Sequence, residues 1–475
     1  MSSTPTAPTS GGLDKNVLRI ALAVVAGGIA VIFDTTIVNV ALHDLAQELG
    51  APISTIQWVS TGYLLAMFLA IPATGWLQAR LGGKRLWLLA LGGFLLGSML
   101  CALAWSAPSL IAFRVLQGLA GGVMMPLMTT LIMQAARGQS LGRLMAVIGL
   151  PTALGPILGP VIGGLILGNL SWHWLFLVNV PICLVGIFLA WRILPNDRPA
   201  PGGARPTLDL VGLCLVSPGV VAVILGLSRV GADGGFGYVD VWLPLLLGAT
   251  LLGAFVWWAL RRRERALLDL ALLRHRPLAI SALLLGMTGV AVYGAMFLLP
   301  LYFQSLRGED ALAAGLLLIP QGVGTLITRS LGGRLTDAVG ARPVAVVGFL
   351  VVSLGTVPFA FAGADSAYWW LLVALLVRGM GLGLVMTPLM AVAYVGLERR
   401  EMPDASIFTR IGQQLGGSVG TATLAMILTA SIGGAASPEL VAHGFDQAFW
   451  WATGFTLVAA ALSLLLPSRE DVRAA

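Results

Sequence analysis

The sequence predicts an all-α integral membrane protein whose fourteen transmembrane helices form two six-helix bundles with two further helices inserted between them. The first observation is composition, since 57% of the 475 residues are hydrophobic and only 10% are charged, against about 25% charged in a typical soluble protein. So few polar residues cannot cover the surface of a soluble core of this size. The second observation is a regular alternation of long apolar segments with basic loops, and the third is an internal repeat.

The predicted spans are apolar segments long enough to cross a bilayer, which takes about 20 helical residues. Turn-forming residues separate them, as in Leu81-Gly82-Gly83-Lys84-Arg85. In chain order the spans cover residues 17–42, 55–78, 86–105, 109–133, 143–168, 174–194, 208–229, 241–260, 277–303, 311–333, 343–363, 368–394, 405–430 and 447–467. The Ser/Thr/Pro-rich residues 1–16 are predicted to be a disordered tail and not a signal peptide.

Basic residues predict the orientation, because Lys and Arg accumulate in cytoplasmic loops. With the N-terminus placed in the cytoplasm, only Arg229 and Arg307 of the loop residues fall on the outer side. A miscounted span would disturb this alternation from that point onward, and no disturbance occurs. We therefore expect an even number of spans, both termini in the cytoplasm, and a location in the inner or plasma membrane. The net charge of +7 follows from this topology and does not indicate nucleic acid.

A repeated loop motif indicates duplication. Gly75 to Arg85 follows the second span, Gly333 to Arg342 follows the tenth, and both read G-x-L-x-x-x-x-G-x-(K/R). Met125-Pro126-Leu127-Met128 in the fourth span is also similar to Thr387-Pro388-Leu389-Met390 in the twelfth. Duplicated halves around a midplane cavity are typical of secondary transporters. The predicted units are the tail 1–16, a bundle at 17–195, two inserted helices at 206–262, a second bundle at 275–467 and a tail at 468–475.

Asp34 is the acidic residue that lies clearly inside an apolar span. Keeping a carboxylate ionised at that depth costs several kcal/mol, so the side chain is expected to face the bundle interior. We expect it to take up a proton on one side of the membrane and release it on the other. The alternative is a static role, in which Asp34 forms a permanent ion pair with an embedded arginine or a hydrogen bond to a neighbouring threonine.

Arg114 in the fourth span needs an acceptor or a water-filled cavity, and Asp34 is the obvious charge available to it. It would then influence proton binding, or simply anchor two helices together. Because Arg114 lies near the outer end of its span, it could also extend its guanidinium towards the outer surface. Gln117 offers a further polar contact.

Glycines and prolines dominate the fifth span. Glycine at intervals of four residues makes a smooth face on which another helix packs closely, and the prolines kink the helix. The motif predicts either a pivot between the halves or a purely structural contact. Its residues are Gly155, Pro156, Gly159, Pro160, Gly163 and Gly164.

The second half contains the embedded residues Arg329, Arg378 and Arg410, without an acidic partner inside those spans. Polar and aromatic side chains within the spans are candidates for substrate contact, although such residues often only pack. The candidates are Asn39, Gln117, Tyr293, Phe297, Gln321 and Gln413. No catalytic, metal-binding or nucleotide-binding motif is present, so we predict neither an enzyme nor a bound cofactor or metal.

These features together resemble the major facilitator superfamily, and in particular its fourteen-span drug:proton antiporter group. The loop after the second span is similar to the superfamily's motif A, which implies gating of the cytoplasmic side. The gating residues implied by this motif and its second copy are Gly75, Arg80, Gly82, Lys84 and Arg85, and Asp337, Gly340 and Arg342. The first copy departs from the motif, because Ala79 stands where the family has Asp.

Three further motifs carry the resemblance. Arg114 with Gln117 and Gly118 resembles motif B, which the family links to proton transfer. The glycines and prolines of the fifth span resemble the antiporter motif C. Phe33 to Leu42 resembles the first-helix signature of the fourteen-span group, except that His43 stands where Pro is usual.

The sequence thus predicts a proton-driven exporter of small amphipathic or drug-like compounds, working as a substrate:H⁺ antiporter by alternating access and functional as a monomer. Some members of the resembling family that act on dications carry extra embedded acids in the second half, so the resemblance implies neutral, monocationic or anionic substrates for this sequence, which lacks them. Two alternatives remain: a proton-coupled importer or symporter, and a membrane sensor that keeps the fold without transport.

Overall fold

The computed structural model describes residues 15–136, 159, 162–196, 208–233, 238–262, 266–309, 311–432 and 438–469. Within these ranges the regular secondary structure is entirely helical. The α-helices are α1 (Lys15–Ile37), α2 (Leu42–Glu48), α3 (Ile53–Ala70), α4 (Thr74–Leu81), α5 (Gly83–Ala102), α6 (Ala107–Ala136), α7 (Trp174–Leu177), α8 (Asn179–Ile193), α9 (Leu210–Asp233), α10 (Val239–Arg262), α11 (Arg276–Leu301), α12 (Ala311–Leu317), α13 (Ile319–Val339), α14 (Ala341–Thr356), α15 (Tyr368–Val392), α16 (Met402–Ile432) and α17 (Pro438–Leu462).

Eleven of the described helical segments are long and apolar enough to cross a membrane. Helices α13 and α16 are also long, with 21 and 31 residues, but they do not meet that criterion of length and composition. Of the predicted fifth span, the structure describes residue 159 and a helical stretch at 162–169. The fourteen-span count therefore stays a prediction.

Large apolar side chains cover the outside of the bundle. Leu89, Trp191, Trp257 and Leu354 are each more than half exposed. A soluble protein does not leave so many large apolar groups in water. Their exposure is explained by contact with lipid. Because side chains that face lipid are apolar, hydropathy along the sequence was sufficient to locate these helices.

The helices of the two halves have matching packing partners. In the first half α6 packs on α3 and α5, and α1 packs on α8. In the second half α15 packs on α13 and α14, and α11 packs on α17. The order of these partners is the same in both halves, as expected for duplicated bundles.

The repeated loop has the same geometry in both halves. Gly82 between α4 and α5 has φ +81°, and Gly340 between α13 and α14 has φ +95°. Residues with a side chain rarely adopt such backbone angles, which explains the glycine in both copies. Two residues later, Lys84 donates to the carbonyl of Trp191 at 2.7 Å. Its counterpart Arg342 donates at 2.6 Å to the carbonyl of Leu466, just beyond the end of α17. Each loop is therefore held to the C-terminal part of its own half.

The two halves meet at the face where the described chain begins at Lys15 and ends at Arg469, which we call the terminal face. Thr130 at the end of α6 donates to Ser406 of α16 at 2.9 Å, and Gln134 donates to the carbonyl of Arg399 at 3.1 Å. Helices α4 and α6 both contact α16. The structure is therefore closed at the terminal face.

The inserted helices α9 and α10 pack on each other, and α9 also contacts α3 of the first half and α16 of the second. Asp209, just before α9, is buried and accepts hydrogen bonds from Trp258 Nε1 at 2.9 Å and from the backbone N–H of Leu267 at 3.1 Å. These contacts fix the inserted pair and the chain that follows it beside the junction of the halves.

Candidate functional site

Asp34 is completely buried on α1, one turn before that helix ends at Ile37. Its Oδ2 accepts from Arg114 Nη1 at 2.5 Å. Its Oδ1 accepts from Gln117 Nε2 at 3.1 Å and from Asn179 Nδ2 at 3.0 Å. The carboxylate is thus held by one guanidinium and two amide donors.

Four helices bring this cluster together. Arg114 and Gln117 lie three residues apart on α6 and therefore share one face of that helix. Ser98 of α5 accepts from Gln117 at 2.7 Å and from Asn179 of α8 at 3.2 Å. Because each amide donates both to Asp34 and to Ser98, the carboxylate is fixed in position by a network and not by one contact.

Arg114 is only 1% exposed, so it does not extend to the outer surface. Its guanidinium carbon lies 3.9 Å from the centroid of the Tyr63 ring, and its Nε donates to the carbonyl of Val59 at 3.1 Å. The sequence had left open three environments for Arg114, and the structure places it on Asp34. Breaking such a pair by removing one partner is expensive, because the other charge stays buried.

Glycines allow the helices around the cluster to approach closely. A Cβ on Gly97 would lie 2.7 Å from Gln117 Cβ, and a Cβ on Gly122 would lie 2.8 Å from Met67 Cα. Gly159 of the fifth span is packed against Thr36, since a Cβ there would lie 2.6 Å from Thr36 Cβ. The antiporter-like motif therefore contacts α1 two residues from Asp34.

The other residues of that motif are less informative. Gly163 is buried, and an added Cβ on Gly164 would meet no atom within 4 Å. Gly155, Pro156 and Pro160 lie outside the described residues.

The predicted gating residues lie at the terminal face, but in different environments. Gly75 packs against the second half, because a Cβ there would lie 3.1 Å from Asp404 Oδ1. Arg80 is exposed and stacks over the Trp76 ring at 5.3 Å, while Arg85 and Asp337 are also exposed. The remaining members, Gly82, Lys84, Gly340 and Arg342, form the two equivalent loops described above.

In the first copy of the loop motif Ala79 stands where the family has Asp, and Asp404 of the second half supplies a carboxylate to the same segment. It lies in the first turn of α16 and accepts from the backbone N–H of Asp269 at 3.2 Å. The pKa of Asp404 is raised from 3.8 to about 6, mainly by burial and to a smaller extent by the charges of Asp269 and Glu401, while the hydrogen bond from the Asp269 backbone acts in the opposite direction. A titratable acid therefore lies between the two halves at the closed face.

Arg378 occupies in the second half the helix that corresponds to that of Arg114 in the first. It donates to Gln321 Oε1 at 2.6 Å, to the carbonyl of Ala291 at 2.6 Å and to Thr356 Oγ1 at 3.2 Å. These acceptors are neutral, whereas the acceptor for Arg114 is a carboxylate. The arginine is thus duplicated and the acid is not.

Three of the predicted substrate contacts, Tyr293, Phe297 and Gln413, lie on α11 and α16. Tyr293 donates to Gln414 Oε1 at 3.4 Å, and Gln413 is buried with its amide 3.9 Å from Met386 Sδ. Phe297 packs against the apolar core of the second half. Gln117 and Gln321 each contact a buried arginine, and the side chain of Asn39 lies outside the described part.

Sequence reasoning missed Asn179, Ser98 and Asp209. Asn179 is the amide in a run of apolar residues that begins at Leu175, so a lone polar residue in a span was the available signal. Ser98 gave no signal, because serine is common at helix contacts in membranes. Asp209 falls at the start of a predicted span and not deep within it.

Two helical halves with matching packing, the first of which encloses a buried ion pair, are the architecture of a helical transporter built from repeats. The chain matches the model of the Major Facilitator Superfamily over residues 24–421, and it belongs to that superfamily. It is accordingly a multi-pass membrane transporter of small molecules and not an enzyme.

Similar sequences include proteins named for drug resistance. A multidrug resistance protein B homolog of Mycobacterium tuberculosis (strain ATCC 25618 / H37Rv) is 35% identical over 419 residues, covering 88% of this chain and 77% of the relative. The lincomycin resistance protein LmrB of Listeria innocua is 28% identical over 421 residues, covering 89% of this chain and 88% of the relative.

Solved structures share the fold. The human organic anion transporter MFSD10 (TETRAN) superposes with a TM-score of 0.64, covering 94% of this chain and 99% of that structure. The proton:xylose symporter XylE superposes with a TM-score of 0.67, covering 98% of this chain and 99% of that structure. Both are 16% identical to this chain, so the likeness concerns the fold alone.

Proposed function

We propose that the protein is a proton-driven antiporter that exports small amphipathic compounds, with Asp34 as the group that carries the proton. The observation that carries this proposal is the Asp34 carboxylate, buried at the end of α1 and paired with Arg114. Relatives named for multidrug and lincomycin resistance support an exporter of drug-like compounds.

The chemistry of the cluster suggests how a proton could change the conformation. In the state that is closed at the terminal face, three side-chain donors contact the Asp34 carboxyl group. A proton that binds Oδ2 competes with Arg114 for the same atom, so proton uptake weakens the link between α1 and α6. A change of this kind at the core of one half can alter how that half packs against the other.

In the proposed cycle, Asp34 takes a proton from the outer side while substrate leaves. The halves then rock, the terminal face opens to the cytoplasm, and the proton leaves as new substrate enters. Moving one charge across 100 mV is worth about 2.3 kcal/mol, so one proton per cycle can drive a substantial gradient.

The test is transport by purified protein in proteoliposomes under an imposed pH gradient, with ethidium as the amphipathic probe. We expect Asp34→Asn to insert and fold but to lose concentrative transport. Asp240→Asn is the matched control, because Asp240 is 74% exposed and pairs with Arg229 at the surface. Undiminished concentrative transport by Asp34→Asn would contradict the proposed role of Asp34.

A pH-sensitive dye inside the vesicles separates the alternatives. Antiport and symport give proton signals of opposite sign when substrate is added, and a sensor that does not transport gives none. An antiport signal supports the proposal, and either other result overturns it.

The proposal includes the finer assignments made from sequence: fourteen spans, membership of the drug:proton antiporter group, cytoplasmic termini, the cytoplasmic membrane and function as a monomer. The close packing of α9 against both α3 and α16 supports an inserted helix pair beside two six-helix bundles. Protease accessibility of tags at both termini, in intact cells and in inverted vesicles, tests the orientation.

A further inference from the structure

An open cavity lies in the second half, at the end of the molecule opposite the terminal face. Helices α13 and α15 both begin beside it, at Ile319 and Tyr368. At its other end α13 leads into Gly340, where an added Cβ would lie 3.2 Å from the Cβ of Arg469 at the terminal face. With a rise of 1.5 Å per residue, the 21 residues of α13 separate the cavity from that face by about 30 Å. The cavity therefore opens at the side that the basic loops predict to be the outer one.

The cavity is large enough for an organic molecule and has an apolar wall. Its volume is about 520 Å³, and ligand pockets typically have about 300–1,000 Å³. The apolar residues that line it come from α12, from the start of α13 and from α15. They are Ala313, Leu316, Leu317, Ile319, Pro320 and Leu372. Such a wall stabilises an apolar body by removing its surface from water.

Glu309 and Tyr368 complete the described lining. The Tyr368 hydroxyl donates to Glu309 Oε1 and so fixes the position of the carboxylate. Within the described part of the chain, no hydrogen bond or ion pair involves Glu309 Oε2. The described lining thus combines an apolar wall with a single negative charge that has one oxygen available to a ligand.

The neighbouring cation Arg307 is directed to other groups. Its guanidinium carbon lies 4.0 Å from the centroid of the Tyr368 ring, and it donates to the carbonyls of Ser366 at 2.7 Å and Gly363 at 3.4 Å. It does not line the cavity, and no ion pair between described residues joins it to Glu309. Arg307 therefore holds the 363–366 turn against Tyr368, and the negative charge of Glu309 remains at the cavity.

We propose that this cavity binds an amphipathic organic monocation, with its apolar body against the wall and its positive charge beside Glu309. One carboxylate matches one positive charge, and apolar surroundings strengthen the attraction between them. An anion of the same shape would be repelled by Glu309, and a neutral molecule would gain only the apolar contact. The inference names the charge class of the compound and rests on the proposed function for its role in export, but not for the binding itself.

The test measures binding to the purified full-length protein in maltoside detergent by equilibrium dialysis, without a pH gradient. The probes are tetraphenylphosphonium and tetraphenylborate, which have the same shape and opposite charges. Glu309→Gln removes the charge and keeps the shape of the side chain. The matched control is Asp365→Asn, because Asp365 is an exposed acid in the neighbouring turn that does not line the cavity.

Two further variants fill the cavity. Ala313→Phe places a ring in it, and Leu316→Trp enlarges a lining side chain that is 46% exposed, so neither changes a fully buried position. Because detergent also takes up both probes, the uptake that remains in the filled variants is subtracted from that of wild type. Thermal unfolding of every variant shows that it is folded.

We expect wild type to bind the phosphonium at least five-fold more tightly than the borate. Glu309→Gln should lose about five-fold of the phosphonium affinity, or about 1 kcal/mol, as for a pair that is partly exposed to water. The borate should bind no more weakly to Glu309→Gln than to wild type, whereas a merely structural role of Glu309 would weaken both probes equally. Asp365→Asn should bind both probes as wild type does.

Equal affinity of wild type for both probes, or undiminished phosphonium binding by Glu309→Gln, would overturn the inference. So would an equal loss in Asp365→Asn, or full binding by both filled variants. Asp34→Asn should bind the phosphonium as wild type does, so the transport experiment on Asp34 can fail while this binding is found. Conversely, proton-driven transport of ethidium without binding that depends on Glu309 would leave the proposed function standing and remove only this site.

Discussion

Arg114 on α6 donates to Asp34 on α1 at 2.5 Å, across eighty residues of sequence, and both side chains are at most 1% exposed. A charge pair enclosed this completely adds little net stability, because the cost of removing both charges from water offsets their attraction. The pair ties together two helices of the first half through one carboxylate oxygen, for which a proton competes with the Arg114 guanidinium.

This pairing predicts a large stability loss when one partner is removed. Arg114→Gln leaves the Asp34 carboxylate buried without its cation, and we expect it to lower the free energy of unfolding by about 3–5 kcal/mol. Asp34→Asn combined with Arg114→Gln should recover part of that loss, because neither charge then remains. Unfolding in detergent measures the effect, and Arg229→Gln is the control, since its exposed pair with Asp240 is worth about 0–1 kcal/mol. Equal losses for the exposed and the buried arginine would contradict this account.

Asn179 is predicted to stabilise the packing of α8 on the Asp34 cluster. Replacing it with Leu removes a donor 3.0 Å from the carboxylate, which should cost about 1–3 kcal/mol of stability. The measurement is unfolding in detergent. Asn169→Leu, at an exposed amide bonded within its own helix, should leave the stability close to that of wild type, and an equal loss in both variants would contradict the role given to Asn179.

Asp404 predicts a pH dependence of the closed terminal face. Its pKa is raised to about 6 by burial in this state, whereas an acid in water titrates near 3.9. The closed state therefore binds the proton more tightly, and it gains stability relative to an open state as pH falls from about 6 to about 4. The gain should be about 1–2 kcal/mol after allowance for partial exposure. Asp404→Asn should favour closure at pH 7 and abolish this dependence.

The closure can be measured as a distance between spin labels at Ala79 and Arg400, two exposed positions on opposite halves, in a background without the three native cysteines. Glu398→Gln, an exposed acid on the same face, is the control. A distance distribution that does not change between pH 8 and pH 4 in wild type would remove Asp404 from the gate.

The repeated loop glycines predict matched losses. Gly82→Ala and Gly340→Ala force a side chain into a backbone region that only glycine adopts readily, at φ +81° and +95°, and each should cost about 1–3 kcal/mol. Gly92→Ala is the control, because Gly92 lies inside α5 with open space at its Cβ and should gain about 0.5–1 kcal/mol. Thermal unfolding of the three variants tests the comparison, and a stable Gly340→Ala protein would argue against strain at the repeat.

Much of the architecture was readable before any coordinates, because lipid imposes a simple rule. A helix that crosses a bilayer must satisfy its own backbone and present apolar side chains, so length and hydropathy locate α1, α5 or α15 directly. The loop repeat was equally readable, since Gly82 and Gly340 are needed for a backbone shape and not for a distant contact. The pairing of Asp34 with Arg114 was one of the alternatives that the sequence left open, because few charges lie inside apolar segments and few partners were possible.

The rotation of each helix about its axis could not be read in this way. Whether Asn179 and Ser98 face a carboxylate, or Asp404 faces the other half, depends on contacts between helices distant in sequence, and apolar residues all round a span leave its inward side undefined. The linear chain therefore set the membrane segments, the duplication and the scarcity of buried charge. Three-dimensional packing set which of those charges are neutralised, pairing Arg114 with an acid and leaving Arg329 without an acceptor at its enclosed Nε, because compensation depends on distances of a few ångströms.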